Sequence, residues 1–356
     1  MKKYITLAAV VAMMASCSDN TMKNDIQEDV VEIGFSSSFV DNTTKADITL
    51  DWMKTAGEGK FGVYSDKTAP TAFTVFTNEK VNYTTDWVHS TVRYWDKGAS
   101  ALYNFYAYSP YMASNVACNS GKFTFSGLSV FKAIKADQID DICVADPKLE
   151  WTYAKTHDGN LTGTSAADGH VTFDFKHILS KVIFKFKTPD LATGTTITIT
   201  KVELGVPSAT SASWTQTANS AVAGTTTFGG YSASETDTYA TTQFSGSQAL
   251  TTTATALTGG DEYIVVPTNA DQDTHAISIK VTYNITYGTG DGAVTETGCI
   301  ATGEIKTSEN KDMDFIQNYL YTINVTVGPA TIEFDVNSVQ GWTNAADANN
   351  GSVNLQ

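Results

Sequence analysis

The stretch from Val30 to Ala46 joins an alternating strand pattern to a polar run that contains a single lysine, Lys45. One parity of the pattern carries residues that a core would accept: Val31, Ile33, Phe35, Ser37 and Phe39. A period of two predicts a strand with one buried and one exposed face. The polar residues 41–46 have nothing to bury, so we expect an exposed loop there that proteases can reach.

A buried strand that a cuttable loop connects to its domain suggests assembly rather than catalysis. If the loop is cut and the strand leaves, an apolar groove with unpaired backbone groups remains. A strand from another molecule can fill that groove, which is donor-strand complementation. We therefore expect an assembly subunit and not an enzyme. The apolar residues that would occupy the groove are Val31, Ile33, Phe35 and Phe39.

The composition favours β structure and excludes nucleic acid as a partner. A length of 356 residues suits about two domains. The 26 Gly with 17 Phe, 16 Tyr and 6 Trp favour strands. A net charge of −15 would repel nucleic acid and anionic membranes. Arg93 is the only arginine, which argues against phosphate or nucleotide handling, and no cofactor is expected.

The N-terminus has the organisation of an export signal. Residues 1–16 combine the basic pair Lys2-Lys3 with an apolar stretch too short for a stable membrane anchor. Met14-Ala15-Ser16-Cys17 resembles a lipoprotein signal-peptidase box, which predicts lipidation at Cys17. The alternative is a plain secretory signal with an incidental cysteine. The acidic residues that follow resemble the tether of a surface-exported lipoprotein.

Short apolar runs separated by Gly, Asn, Asp and Pro predict β-rich regions at 46–190 and 191–330. Val171–Lys187 gives the strongest strand signal, and its parity changes near Ser180, where we expect a bulge or bend. Gly288–Gly292 is expected to be a hairpin turn. The pattern at Asp137–Val144 fits either a short helix or a strand.

Few residues suggest a chemical site. Asp137, Asp140, Asp141 and Asp146 could bind a cation, but their spacing matches no calcium loop and solvated acidic turns are commoner. His177 has core parity and is expected to be a hydrogen-bonded structural histidine. Neither a nucleophile motif nor a metal-ligand spacing is found, so no catalytic or metal residues are predicted. The remaining cysteines are Cys118, Cys143 and Cys299. We expect isolated buried thiols, and the alternative is a disulfide between Cys118 and Cys143.

The chain resembles the fimbrillin family, the type V pilins and pilus-associated lipoproteins of gut and oral anaerobes. The order of several motifs along nearly the whole chain carries this resemblance. The first of these motifs are the cysteine box and its acidic tether. The other motifs are Ile33-Gly34-Phe35 before Thr44-Lys45-Ala46, Phe61-Gly62-Val63-Tyr64, Tyr94-Trp95, Phe105-Tyr106-Ala107-Tyr108-Ser109-Pro110, Phe175-Lys176-His177-Ile178-Leu179-Ser180-Lys181-Val182, the strand Tyr319–Val327, and Trp342.

The resemblance implies an all-β fold with two transthyretin-like β-sandwich domains in tandem. It also implies an outer-membrane lipoprotein at the cell surface that loses residues 17–45, tether and first strand, by a cut between Lys45 and Ala46. The product would polymerise with other fimbrial subunits and support adhesion to a host or bacterial surface ligand. The family's cut usually follows arginine, so Lys45 leaves open a non-polymerising pilus anchor.

The donor strand is expected from the C-terminal residues 331–356. Ile332, Phe334 and Val336 share one face of a strand there, and the alternative is that this strand belongs permanently to its own domain. A different function, glycan binding by a surface lipoprotein, would need an exposed aromatic platform. The aromatic candidates are Trp87, Tyr94, Trp95, Tyr106, Tyr108 and Tyr111.

Overall fold

The structure, a computed structural model, describes most of the chain between residues 30 and 341. The described ranges are 30–38, 50–126, 134–135, 141–156, 169–205, 211–215, 225–229, 241–258, 262–265, 267, 277–305, 313, 315–329 and 332–341. The regular structure of these ranges is almost entirely β, which confirms the predicted all-β class. In the same ranges, no helix has the length and apolar character needed to cross a membrane.

The strands follow one another along the chain with few other elements. They are β1 (Gly34–Ser38), β2 (Gly57–Ala69), β3 (Phe73–Tyr83), β4 (Trp87–Val88), β5 (Leu102–Ser109), β6 (Val116–Asn119), β7 (Lys122–Phe125), β8 (Ile134–Lys135), β9 (Cys143–Ala145), β10 (Lys148–Trp151), β11 (His170–His177), β12 (Ser180–Lys187), β13 (Thr196–Gly205), β14 (Ser211–Thr215), β15 (Thr225–Gly229), β16 (Thr241–Ala249), β17 (Glu262–Val265), β18 (Ser278–Tyr287), β19 (Val294–Glu304), β20 (Tyr319–Val327) and β21 (Ile332–Gly341). The helix α1 (Leu50–Met53) precedes β2, and 3-10 turns span Tyr153–Thr156 and Gly290–Gly292.

An eight-stranded sheet organises the N-terminal part in the order β1-β11-β9-β5-β2-β3-β4, with β10 paired to β5. The alternation along β11 buries Val171, Phe173 and Phe175 on one face of this sheet. That face encloses the first core, whose buried residues are Ile33, Phe35, Met53, Phe61, Val63, Val75, Phe76, Val81, Trp95, Ala101, Tyr103, Phe105, Ala107, Cys143, Ala145, Val171, Phe173 and Phe175.

The strands β5 and β9 also bury residues of the opposite parity, and these form a smaller cluster. Tyr106 and Tyr108 of β5 pack there with Phe123 and Phe125 of β7. A four-stranded sheet in the order β15-β14-β7-β6 brings the β6–β7 hairpin to this position. The first sheet is therefore covered on both faces, which explains why β5 has an almost continuously apolar sequence.

Two further sheets share the second core. One has the order β21-β20-β12-β17-β8, and the other has the order β16-β13-β18-β19. The side chains buried between them come from both sheets, which is the arrangement of a β-sandwich. The second core contains Val182, Phe184, Phe186, Ile197, Ile199, Val202, Leu204, Phe244, Leu250, Leu257, Tyr263, Val265, Ile277, Ile279, Val281, Tyr283, Ile285, Ala301, Ile305, Met313, Phe315, Tyr321, Ile323, Val325 and Val327.

Several local predictions can be compared with this architecture. The run 171–187 is divided into β11 and β12 by a bend at residues 178–179, next to the expected position at Ser180. β18 and β19 pair through a turn at Gly290–Gly292, as expected for a hairpin. The undecided region contains β9 at Cys143–Ala145, while residues 136–140 lie outside the described ranges. The division into domains 46–190 and 191–330 stays a prediction, and β12 contributes its apolar residues to the second core.

Candidate functional site

The segment 31–38, which ends in β1, is hydrogen-bonded to two parts of the chain. Gly34–Ser38 pairs in parallel with His170–Asp174 of β11. Just before β1, the N–H of Ile33 donates to the carbonyl of Arg93 at 2.8 Å, and the N–H of Trp95 donates to the carbonyl of Val31 at 2.9 Å. We call residues 89–95, which follow β4, the strap. The strap and β11 together hold residues 31–38 within the N-terminal sheet.

The apolar side chains of this segment are part of the first core. Ile33 is 0% exposed and Phe35 is 1% exposed, whereas Val31 is partly buried against the same core. The ring of Phe35 lies 5.2 Å from that of Phe76 and 6.0 Å from that of Phe173, between centroids. Such tilted and edge-on contacts are favourable for aromatic rings. Removal of the segment would therefore open the centre of the aromatic core.

Glu79 holds the strap in place. Its carboxylate accepts hydrogen bonds from the N–H and hydroxyl groups of both Ser90 and Thr91. Burial by itself would raise the pKa of Glu79, but these four hydrogen bonds outweigh burial and lower the pKa. The carboxylate thus stays ionised and fixes the start of the strap, whose later residues bind the first strand.

Two histidines also contact the first strand. Nε2 of His89 lies 3.1 Å from the carbonyl oxygen of Ile33, so Nε2 must carry the proton and donate it. The ring of His170 covers Gly34 so closely that an added Cβ would lie 2.3 Å from its Cδ2. Burial lowers the pKa of His170. Glycine at this position thus allows the β1 backbone to approach β11 beneath the ring.

The last strand is placed differently from the first. β21 pairs antiparallel with β20, whereas β1 pairs in parallel with β11, and both strands stand at one end of their sheet order. Of its predicted donor residues, Ile332 packs against the second core and is partly buried. Phe334 and Val336 lie in β21 opposite Val325 and Ile323 of β20, by backbone register. Glu333 and Asp335, which have the other parity, are exposed.

The remaining predicted residues fall into two groups. Cys17, Phe39, Lys45 and Ala46 lie outside the described residues, so their roles stay predictions. The predicted aromatic platform is not a single exposed surface, because Trp95, Tyr106 and Tyr108 are buried. Tyr94 is 54% exposed, and Trp87 and Tyr111 are partly buried.

The structure brings together three side chains that the sequence did not associate. His177 is hydrogen-bonded, as expected, with Nδ1 at 2.6 Å from Oδ2 of Asp141. The same nitrogen lies 3.3 Å from Sγ of Cys143. All three side chains are buried. Cys118, Cys143 and Cys299 are not joined by disulfides, and the expected burial holds for Cys143, whereas Cys118 and Cys299 are partly exposed. Asp141 and Cys143 are two residues apart, so the sequence could indicate that they lie on the same face of an extended segment. The sequence does not indicate that this segment pairs with β11, which carries His177.

A family model described as fimbrillin-like matches residues 44–342 of this chain. The chain belongs to the fimbrillin-like family. The matched range begins next to Lys45 and contains most of the strands that enclose both cores. Membership gives this fimbrillin-like protein a fimbria-related structural role at the cell surface. No curated protein matches the chain.

One solved structure with a TM-score above 0.5 supports the fold. A fimbrial protein from Bacteroides vulgatus is 20% identical, with a TM-score of 0.56 over 88% of this chain and 99% of the other. A candidate cell adhesion protein from Bacteroides uniformis has 15% identity and a TM-score of 0.47, with coverage of 88% and 99%. A tip fimbrial protein from Porphyromonas gingivalis has 10% identity and a TM-score of 0.34, with coverage of 82% and 96%. The first of these similarities extends over the fold as a whole.

Proposed function

We propose that this protein is a structural subunit of a cell-surface fimbria that assembles by proteolysis-triggered donor-strand exchange and supports adhesion. It would be exported as a lipoprotein, anchored in the outer membrane through Cys17, and released from the anchor by a cut between Lys45 and Ala46. One observation carries the proposal: Ile33 and Phe35 belong to the first core, yet they precede the expected cut. The family match, which begins at residue 44, supports this division.

The loss of the first strand has a large energetic effect. At about 1.5–3 kcal/mol for each fully buried side chain, Ile33 and Phe35 contribute roughly 3–6 kcal/mol. The backbone hydrogen bonds to β11 and to the strap are lost as well. A domain has only about 5–15 kcal/mol of stability in total. The emptied groove would therefore need a replacement strand to remain folded.

We infer that the replacement comes from residues 331–356 of a neighbouring subunit. β21 alternates apolar and charged residues, pairs with β20 at a sheet end, and lies near the end of the chain. Because β21 is the end strand of its sheet, its departure would break the pairing with β20 and leave the other strands of the sheet paired. The alternative is that β21 is a permanent strand of its own sheet.

Phe334→Asp distinguishes a donor strand from a permanent strand. If the variant folds and still polymerises normally after the cut, the donor lies elsewhere. If the variant fails to fold, the result favours a permanent strand.

The cut itself is tested by Lys45→Ala, with Lys54→Ala as a control because Lys54 is an exposed lysine that follows the expected cut. After treatment with a trypsin-like protease, wild type and the control should start at Ala46 and form ladders on unboiled gels. Lys45→Ala should keep its first strand and remain monomeric. Undiminished polymers from Lys45→Ala would show that Lys45 is not the switch, and an uncut wild type at the cell surface would indicate an anchor.

Lipidation is tested separately, because it concerns export and not exchange. Cys17→Ala should abolish palmitate labelling and surface display, since the lipid attaches to this cysteine. Cys299→Ala serves as the control, because Cys299 lies in β19, far along the chain from the signal. Normal palmitate incorporation by Cys17→Ala would exclude the predicted lipoprotein box.

A further inference from the structure

The side chains of Asp141, Cys143 and His177 meet within the N-terminal sheet. Cys143 of β9 and His177 of β11 are directly opposite each other in antiparallel register, and Asp141 precedes Cys143 by two residues. The Asp141 Oδ2–His177 Nδ1 distance is 2.6 Å, the Cys143 Sγ–His177 Nδ1 distance is 3.3 Å, and the Cys143 Sγ–Asp141 Oδ2 distance is 3.9 Å. Three atoms that can bind a metal thus surround one point.

This geometry differs from that of a nucleophilic triad. In a triad, the imidazole uses one nitrogen toward the nucleophile and the other toward the carboxylate. Here the thiol and the carboxylate both face Nδ1 of His177. The thiol is also buried, so a substrate cannot reach it. The arrangement fits three ligands that converge on an ion better than a proton relay.

We propose that Asp141, Cys143 and His177 bind a transition-metal dication, with zinc as the best match. Carboxylate, thiolate and imidazole are all zinc ligands, at about 2.0–2.3 Å from the ion. Tetrahedral ligands at those distances lie roughly 3.3–3.8 Å from one another. The two distances that involve Cys143 Sγ are close to that range, and the 2.6 Å contact between Asp141 and His177 must widen by about 1 Å or less.

The charges and protons of this reaction balance. Zinc binding releases the thiol proton of Cys143 to solvent. The proton on Nδ1 of His177, which is donated to Asp141 when no metal is bound, moves to Nε2, so that Nδ1 can bind the ion. The dication then faces one carboxylate and one thiolate, so the buried site has no net charge. A neutral arrangement avoids the large cost of a buried uncompensated charge. A water molecule completes the tetrahedron.

The backbone around the site is held firmly enough to position the ligands. The N–H of Ile178 donates to the carbonyl of Ile142 at 3.0 Å, and the N–H of His177 donates to Oδ1 of Asn318 at 3.3 Å. The metal would link β9 to β11, the strand that also binds β1. The inference does not depend on donor-strand exchange, because all three ligands remain after a cut at Lys45.

The test uses Co²⁺ as a spectroscopic probe for the full chain. Since the ligands are buried, the chain is unfolded and refolded with Co²⁺, then separated from unbound metal. Wild type should retain one cobalt per chain, with a thiolate-to-cobalt charge-transfer band and the intense visible bands of tetrahedral cobalt. Zinc should displace the cobalt and abolish both signals. Cys118→Ala is the matched control, because burial raises the pKa of that thiol to about 12 and it lies outside the cluster.

Cys143→Ala should lose the charge-transfer band, because the band comes from the thiolate. Asp141→Asn keeps the shape of the side chain but removes the carboxylate, and it should lower the affinity for cobalt at least tenfold. Circular dichroism identifies the variants that fold like wild type. Folded wild type that retains no cobalt, or a charge-transfer band that survives in Cys143→Ala, would overturn the proposal. Those results would leave a hydrogen-bonded histidine–aspartate pair beside a buried thiol.

Discussion

The two ends of the described chain show how differently two strands can be attached to one protein. The N-terminal segment 31–38 is bound by β11 on one side and by the strap on the other, and it places Ile33 and Phe35 in the first core. The C-terminal strand β21 is paired with β20 at a sheet end, and two of its residues, Glu333 and Asp335, are exposed. Both strands stand at the end of a sheet, but the first places two fully buried side chains in a core, whereas Ile332 of the last strand is only partly buried.

This difference fits an exchange reaction in which the two strands have different roles. A strand that is strongly bound keeps the isolated subunit closed, so assembly must wait for the cut. In the proposed exchange, the last strand gives up its pairing with β20 and enters a neighbouring subunit. The difference thus makes quantitative predictions about substitutions in the two strands and in the strap.

The largest effect is expected for Phe35→Ala. Its ring is 1% exposed and contacts the rings of Phe76, Phe105 and Phe173, so truncation leaves a cavity in the first core. We expect the free energy of unfolding of uncut protein to fall by about 3–5 kcal/mol, measured by chemical denaturation. A loss below about 1 kcal/mol would mean that the first strand contributes little to the core.

An intermediate effect is expected for Glu79→Gln, which keeps the shape of the side chain but removes its charge. Loss of charge-assisted hydrogen bonds from Ser90 and Thr91 should cost about 1.5–3 kcal/mol at neutral pH. The pKa of Glu79 is lowered in the folded state, so its contribution is present above the unfolded value of 4.5 and is lost as pH falls through the folded value.

The pH dependence provides the control for this substitution. The difference in unfolding free energy between wild type and Glu79→Gln should be constant near neutral pH and should shrink in acid. Glu333→Gln, which changes an exposed residue of β21, should have little effect at any pH. A difference between wild type and Glu79→Gln that does not change with pH would show that Glu79 does not hold the strap through its charge.

The smallest effect is expected for Ile332→Ala in the last strand. Ile332 packs against the second core but is only partly buried, so its truncation should cost about 1–2 kcal/mol, less than for a fully buried residue. Chemical denaturation of the same uncut protein allows direct comparison with Phe35→Ala. If the two substitutions cost the same, the strands do not differ in attachment.

The sequence reveals features that repeat locally and misses those that depend on distant partners. The alternation around Ile33 and Phe35 agrees with their burial, and the parity change near Ser180 locates the break between β11 and β12. Nothing in the local pattern shows that residues 31–33 pair with the strap about sixty residues later, because side-chain parity does not specify a strand's neighbours.

The candidate sites show the same limit. Glu79 has the sequence pattern of an ordinary strand residue, and its role follows only from the hydrogen bonds of Ser90 and Thr91. Asp141 and His177 are far apart in sequence, and the pairing of β9 with β11 brings them together. The β20–β12 pair is parallel and joins elements that no hairpin connects, so turn signals cannot predict it.

The departure of the first strand can be tested most directly by locking it in place. Ser36 and Thr172 are opposite each other in β1 and β11, with their hydroxyl oxygens 2.7 Å apart. Neighbouring strands lie about 4.8 Å apart, within the about 4.4–6.8 Å Cα range of disulfides. The variant Ser36→Cys/Thr172→Cys should therefore form a disulfide that tethers β1, while Ser36→Cys alone should not.

Each variant is cut with a trypsin-like protease, and N-terminal sequencing establishes the new start at Ala46. If the first strand must leave for assembly, the oxidised double variant stays monomeric on unboiled gels and forms ladders once the disulfide is reduced. Wild type and the single variant should form ladders in both conditions. Ladders of equal length from the oxidised and reduced double variant, with the disulfide verified by mass spectrometry, would contradict the claim that the first strand must leave for the subunits to assemble.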